Sequence, residues 1–288
     1  MPKPVEAPAQ VPLRTGLFTV ADVDFNFDFD LDGISFRPES CGSGGIIELC
    51  PDEPVTKTIT APDGPTTRPS YALWEGDECS TLTGIATYNT TRERVVAKLE
   101  RKTQNYVENA LWTGAPATAI TDNSALASTA ATDVTPGTTA GIVPAVAAMI
   151  EGLDDALEGG RGIIHVPQFA LPWLRFYGLV TRVGNVLQVT DTDHVYVAGS
   201  GYPNTDPDGN VLDPADGYVW FYGTGAVRVK LSTISVVPEV EYQAIDRSVN
   251  NVEVRAERAA AAYFDPCAHL AVEACIPDPG PACGEQSS

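Results

Sequence analysis

Positive charge is scarce in this 288-residue chain: 18 lysines and arginines stand against 38 acids, for a net charge of -20. Such a surface stays soluble and repels DNA, which excludes a protein built to grip nucleic acid by counterion release. Histidine is scarcer still. His165, His194 and His269 fall in different segments, and no nucleophile motif stands beside any of them. A hydrolase built on them has no nucleophile to activate, and core or surface histidine is the plainer reading. No apolar run approaches the length of a membrane span. The opening MPKPVEAPAQVP holds four prolines and lacks the basic and apolar regions of a secretory leader. Both features predict a protein made and assembled in a cytoplasm. None of the six cysteines, Cys41, Cys50, Cys79, Cys267, Cys275 and Cys283, forms a Cys-x-x-Cys pair, which disfavours zinc. Their even number would suit a secreted disulfide framework, but with no leader reduced thiols are expected, Cys41 and Cys50 being the pair most able to bridge in oxidising medium.

Apolar residues, at 43%, are plentiful enough to bury a sizeable core in one large or two modest domains. The stretch DFDLDGISFRPE matches a calcium loop through Asp28, Asp30, Asp32 and Glu39, with Gly33 at the turn. Its flanks do not match. Val23, Phe25, Phe27, Phe29 and Leu31 alternate with acids and Asn26, the period of a half-buried strand, which points the aspartates along one side instead of around a cation. Pro38 also stands where the second helix should be under way. We read the segment as an amphipathic strand and the metal pattern as a false positive.

From Gly33 to Gly84 seven glycines and six prolines interrupt short β-type runs such as GIIEL and VTKTIT. So little apolar surface predicts a two-stranded excursion that packs on something outside its own fold, the alternative being an ordinary long loop. NTTRERVVAKLERKTQNYVENALWTG then reads as one long helix, with Asn89, Thr90 and Thr91 as capping candidates and Gly114 as its stop. Val95, Leu99, Thr103, Tyr106 and Ala110 make its apolar stripe, and Arg94, Lys98, Arg101 and Lys102 a basic one. Counting Arg92, five of the 18 basic residues lie within eleven positions. They suit an acidic neighbour or packaged nucleic acid, or simply a solvated face salted by Glu93 and Glu100. An Ala/Thr/Gly/Pro-rich connection fills 115–141, and a second helix is expected over 143–157, closed by Gly159 and Gly160. Beyond it, GIIHV, VLQVT, HVYVAG, YVWFYG and VRVKLSTISVV read as strands, with GYPNTDPDGNVLDPADG as a surface turn region. NNVEVRAERAAAAYFDP begins as an alternating strand, with Val252, Val254 and Ala256 opposite Glu253, Arg255 and Glu257. It becomes a fully buried small-residue run over 259–264 before Pro266.

This last segment resembles the closing strand of the major capsid proteins of tailed bacteriophages, a fold shared with encapsulins and the herpesvirus capsid floor. Upstream, NYVENALWTGAP is similar to the end of that family's spine helix, and AVAAMIEGLDDALEGGRGIIHVPQFALPWL to its helix, strand and aromatic-proline segment. The order of these motifs covers most of the chain. The resemblance implies an α+β fold of this kind, divided as an N-terminal arm and first strand over 1–32, an extended β-hairpin loop over 33–87 and a spine helix with its connection over 88–140 in a peripheral domain. An axial domain over 141–245, a terminal strand over 246–266 and a Pro/Cys-rich tail over 267–288 follow. It also implies a non-enzymatic shell protein without cofactor or catalytic residues. Such a protein forms pentamers and hexamers that enclose double-stranded DNA without reading it, in a virion assembled in a bacterial cytoplasm, with minor capsid, decoration or scaffolding proteins as further partners and no membrane. Segments that cannot bury their apolar faces alone would bury them on adjacent copies, and Phe25, Phe27, Phe29, Lys57, Trp74, Arg94, Lys98 and Arg101 are the contact candidates. An encapsulin-like compartment for enzymes, or a secreted acidic calcium-binding β protein, are the alternative readings.

Overall fold

A computed structural model gives the fold, and its described residues are 14–28, 33–38, 66–80, 88–114, 125–137, 140–246 and 251–276. Along the chain they form β1 (Asp22–Phe25), β2 (Ile34–Phe36), β3 (Thr66–Arg68), β4 (Tyr71–Ser80), the long helix α1 (Tyr88–Thr113), β5 (Thr132–Asp133), β6 (Ala140–Gly141) and α2 (Ile142–Leu157). Next come β7 (Ile163–Pro167), α3 (Leu171–Phe176), β8 (Val180–Val183), β9 (Val186–Val189), β10 (Val195–Gly199), β11 (Tyr218–Thr224), β12 (Val227–Leu231) and β13 (Ser235–Val237). A short α4 (Glu241–Ala244), β14 (Ile245–Asp246), β15 (Asn251–Phe264) and β16 (His269–Cys275) complete the described fold.

The fourteen-residue strand β15 organises the first sheet. Along one edge it pairs with β4 from Asn251↔Ser80 to Ala260↔Tyr71. Its other edge is shared in turn by β14, β13 and β12, and β1 adds in parallel to β12. Alternation runs as the sequence predicts, with Val252, Val254 and Ala256 buried and Glu253 and Arg255 exposed. Arg258 takes the next inward position, where its Nε donates to the Ser232 carbonyl at 3.1 Å. The run beyond is less buried than expected, for Ala259 and Ala262 are half-exposed. α1 lies across β4 and β15. Thr91, Val95, Leu99, Thr103 and Val107 step by four along its buried side, and Ala110 and Leu111 restore the phase that steps of four lose in a helix of 3.6 residues per turn.

The second sheet runs β5–β16–β11–β7–β10–β9–β8, with β6 also on β16. The parallel pair β7 and β10 is buried at every position, as strands covered on both faces must be. Ile142, Ala145, Val146, Met149 and Leu153 of α2 share one core with Val166, Phe221 and Val272 of this sheet. A larger core joins the two sheets. In it the fully buried Trp112, from the last turn of α1, sits 4.8 Å from the Tyr202 ring and edge-on to Tyr222 at 4.9 Å.

Several expectations need correction. The strand expected from Val23 to Leu31 stops at Phe25, because Asn26 turns into the left-handed region at φ 70° and breaks the alternation. The extended loop drawn over 33–87 contains β4, a full member of the first sheet; among its described residues β2 and β3 form a separate two-stranded sheet. The long helix starts at Tyr88, ahead of its expected caps. VRVKLSTISVV is two strands, and both belong to the first sheet although they fall in the block assigned to the axial domain. The connection 115–141 contributes β5 and β6. The segment set apart as a tail from Cys267 opens with β16, which lies inside the second sheet, because HLAVEAC is apolar enough to be buried on both faces. Cys267 and Cys275 are both disulfide-bonded, against the expectation of reduced thiols, since spacing along a chain cannot show which sulfurs folding brings within bonding distance.

Candidate functional site

β4 borders the first sheet, and its outer edge pairs with no strand among the described residues. Its acids meet the basic stripe of α1. Asp77 accepts from Arg94 and lies 3.4 Å from Lys98; Glu75 takes Lys102 at 2.7 Å and the Tyr106 hydroxyl. The hydrogen bonds from Lys102 and Tyr106 keep the Glu75 carboxyl below its ordinary range although burial, the largest single influence, raises it. A groove of about 780 Å³ follows this edge, lined by the backbone of β4 with Trp74, Tyr106, Asn109 and Arg255. Trp74 stands 60% exposed over it. An unpaired edge flanked by an exposed aromatic ring is a template for another segment, and the acids of β4 disfavour pairing with the same strand of a second copy.

The contact candidates therefore divide. Trp74 is exposed on the open strand, and Phe25, 56% exposed, stands free at the end of β1. Phe27 instead turns inward toward Ile34, Phe36 and Tyr263, with the Lys230 ammonium 5.0 Å from its ring centre. Arg94 and Lys98 are engaged within the chain by Asp77, while Arg101 is exposed. The aspartates before the calcium-like stretch also find partners in their own chain, because the parallel register sets Asp22 beside Arg228 and Asp24 beside Lys230, the latter pair at 2.8 Å. Asp28 is exposed, whereas Phe29, Asp30, Asp32, Glu39 and Lys57 lie outside the described residues. Among the described residues no three His, Cys, Asp or Glu side chains gather as a metal site.

All three histidines are buried and partnered. His194 accepts from the Gly162 amide at 2.9 Å and meets Asp154 at 3.1 Å, and His269 Nε2 donates to the Leu126 carbonyl. His165 lies between the Tyr202 hydroxyl and Thr224 Oγ1, both at 2.9 Å, and burial followed by the charge of His269 pushes its pKa down from 6.5 to about 3. Between those two pH values the unfolded chain takes up a proton at His165 that the folded chain refuses. Stability from this group is therefore complete above pH 6.5 and is lost as pH falls toward 3. The loss should approach about 1.4 kcal/mol per pH unit within the window. Denaturant titrations at pH 7 and 4 should show a smaller decline for His165→Asn than for the wild type; equal declines would remove this assignment.

One residue that sequence reasoning missed is Glu108. It is fully buried near the end of α1, where its carboxylate accepts from the Leu17 and Gly201 amides at 2.9 Å each, from Gln104 Nε2 at 3.0 Å and from Ser200 Oγ at 3.5 Å. Burial still holds its carboxyl above the ordinary range, against all four donors. The only trace in the sequence is a Gly-Ser-Gly turn at 199–201, ninety residues away in the second sheet.

No protein-family model and no curated protein matches the chain. Solved structures do. The capsid of Ralstonia phage GP4 aligns over 98% of this chain and 97% of its own, at 11% identity and a TM-score of 0.60. The capsid of an empty GTA particle, computed with C5 symmetry, covers 96% and 95% at 12% identity and 0.59. A Gordonia phage Cozz structure covers 96% and 92% at 14% identity and 0.55. At these identities it is the path of the backbone that is shared, from the first described strands through α1 to the closing strands, and over nearly its whole length this chain has the phage major-capsid fold.

Proposed function

We propose that this protein is the major capsid protein of a tailed double-stranded DNA bacteriophage, a structural subunit that assembles with copies of itself into pentamers and hexamers and closes the icosahedral head. The observation that carries the reading is the end-to-end match to phage capsid structures, which leaves no large part of the chain for another activity. The surface agrees with it. Phe176 is 77% exposed, Tyr242 72% and Trp74 60%, and each offers a large apolar anchor for contact with a neighbouring copy. We place one contact along β4, where the groove under Trp74 accepts an extended segment of a neighbouring copy. The same patch meeting a different patch on the next copy makes a head-to-tail contact, which closes as a ring when the rotation from copy to copy is a fifth or a sixth of a turn. A net charge of -20 lets concentrated DNA lie inside without adhering to the wall, and assembly takes place in the bacterial cytoplasm. Purified full-length protein, followed by sedimentation and negative-stain microscopy, is expected to give rings or closed shells of uniform size. A clean monomer in every salt, pH and concentration tested would overturn the proposal.

A further inference from the structure

Three parts of the chain meet at the Glu108 carboxylate. The N-terminal segment 14–19 arrives first: Thr15 accepts from the Ala198 amide at 2.9 Å at the end of β10, and Leu17 is buried in the shared core. α1 supplies Glu108 and Gln104, and the turn after β10 supplies Ser200 and the Gly201 amide. The fit is tight at three glycines, and at Gly201 a side chain would meet backbone that has to move. A Cβ on Gly16 would stand 1.6 Å from Gln104 Nε2 and 2.5 Å from Glu108 Oε1, one on Gly199 2.9 Å from Glu108 Cδ, and one on Gly201 2.1 Å from the Asn105 carbonyl oxygen. Asn105 and Asn109 brace the same turn, through Ser200 Oγ at 3.1 Å and the Gly201 carbonyl at 3.3 Å. A charged acceptor held by backbone amides from two separate segments acts as a clasp, because each amide would be orphaned in a dry site without it.

We propose that Glu108 is a latch: its carboxylate holds residues 14–19 as a strap across the junction between α1 and the second sheet, and loss of that carboxylate frees the strap and the 199–201 turn together while both sheets stay folded. The inference rests on the geometry of one subunit and is independent of the assembly reading.

Hydrogen exchange on the full chain tests it. In Glu108→Ala the amides of Leu17 and Gly201 should exchange faster by at least about tenfold, while those of Val252 and Val254 in β15 keep their wild-type rates. Gly201→Ala, whose Cβ would stand 2.1 Å from the Asn105 carbonyl oxygen, should produce the same pattern from the side of the turn, without removing the acid. If Glu108→Ala fails to fold, Gly201→Ala decides alone. Unchanged Leu17 and Gly201 amides in a folded variant would overturn the latch, because Leu17 burial and the Thr15 pairing would then suffice. Acceleration spread equally over β15 would also overturn it, because Glu108 would then be one more part of a single cooperative core.

Discussion

Replacing Trp112 by alanine is expected to lower the unfolding free energy by about 3–5 kcal/mol, the range for a large aromatic side chain removed from a packed interior. Trp112 is fully buried and touches Tyr202 and Tyr222, so the cavity opens where α1 meets the second sheet and not inside either sheet. Those two tyrosines cannot collapse into it freely. The Tyr222 hydroxyl donates to the Thr205 carbonyl at 2.8 Å, and Tyr202 is tied to His165. The indole Nε1 is buried without a hydrogen-bond partner. Trp112→Phe should therefore cost much less than alanine, because it gives up part of the apolar contact and also removes an unpaired donor worth about 1–3 kcal/mol. Denaturant titration of the three proteins measures both differences. An alanine cost below about 1 kcal/mol, under the ordinary large-to-small range, would show that this contact does not join the two sheets.

Trp74→Ala is expected to do the opposite, sparing the subunit and weakening the assembly. The side chain is 60% exposed on a strand whose backbone is already paired with β15, so its loss should change the unfolding free energy by no more than about 0.5 kcal/mol. As an aromatic anchor over a groove it should weaken each contact between copies by about 2 kcal/mol or more, roughly thirtyfold. In the proposed ring each copy makes one such contact, and the protein concentration needed for assembly should rise accordingly. Sedimentation across a concentration series reads this directly. Assembly at the wild-type concentration would remove the β4 groove from the interface, and a destabilised monomer would show that Trp74 serves the fold instead.

How far the sequence could be read depended on how local each cause was. The long helix was legible because apolar residues at helical spacing and a closing glycine act within a few residues of one another, and Gly114 does end α1 at a φ of 75°. The same holds for the buried runs of β7 and β10 and for the alternation of β15. In the acidic stretch the strand ends at Phe25 because a single left-handed residue, Asn26, interrupts a pattern that continues unbroken in the letters. The basic stripe of α1 was visible, but its partners were not. Nothing near Arg94 or Lys102 in the chain says that Asp77 and Glu75 lie across from them, since that pairing follows from the register of β4 on β15 and the position of α1 above both.

By itself, then, the sequence determined the kind and phase of the strongly periodic elements, a net charge of -20, and a motif order that resembles one family. The tertiary structure alone decided that the segment after Cys267 is an interior strand, that β4 has an open edge beneath an exposed tryptophan, and that Glu108 draws the N-terminal segment and the second sheet onto α1. The physical reason is common to all three: periodicity and turn chemistry act between near neighbours, whereas an edge, a burial or a buried charge is defined by residues that meet only once the chain has closed on itself.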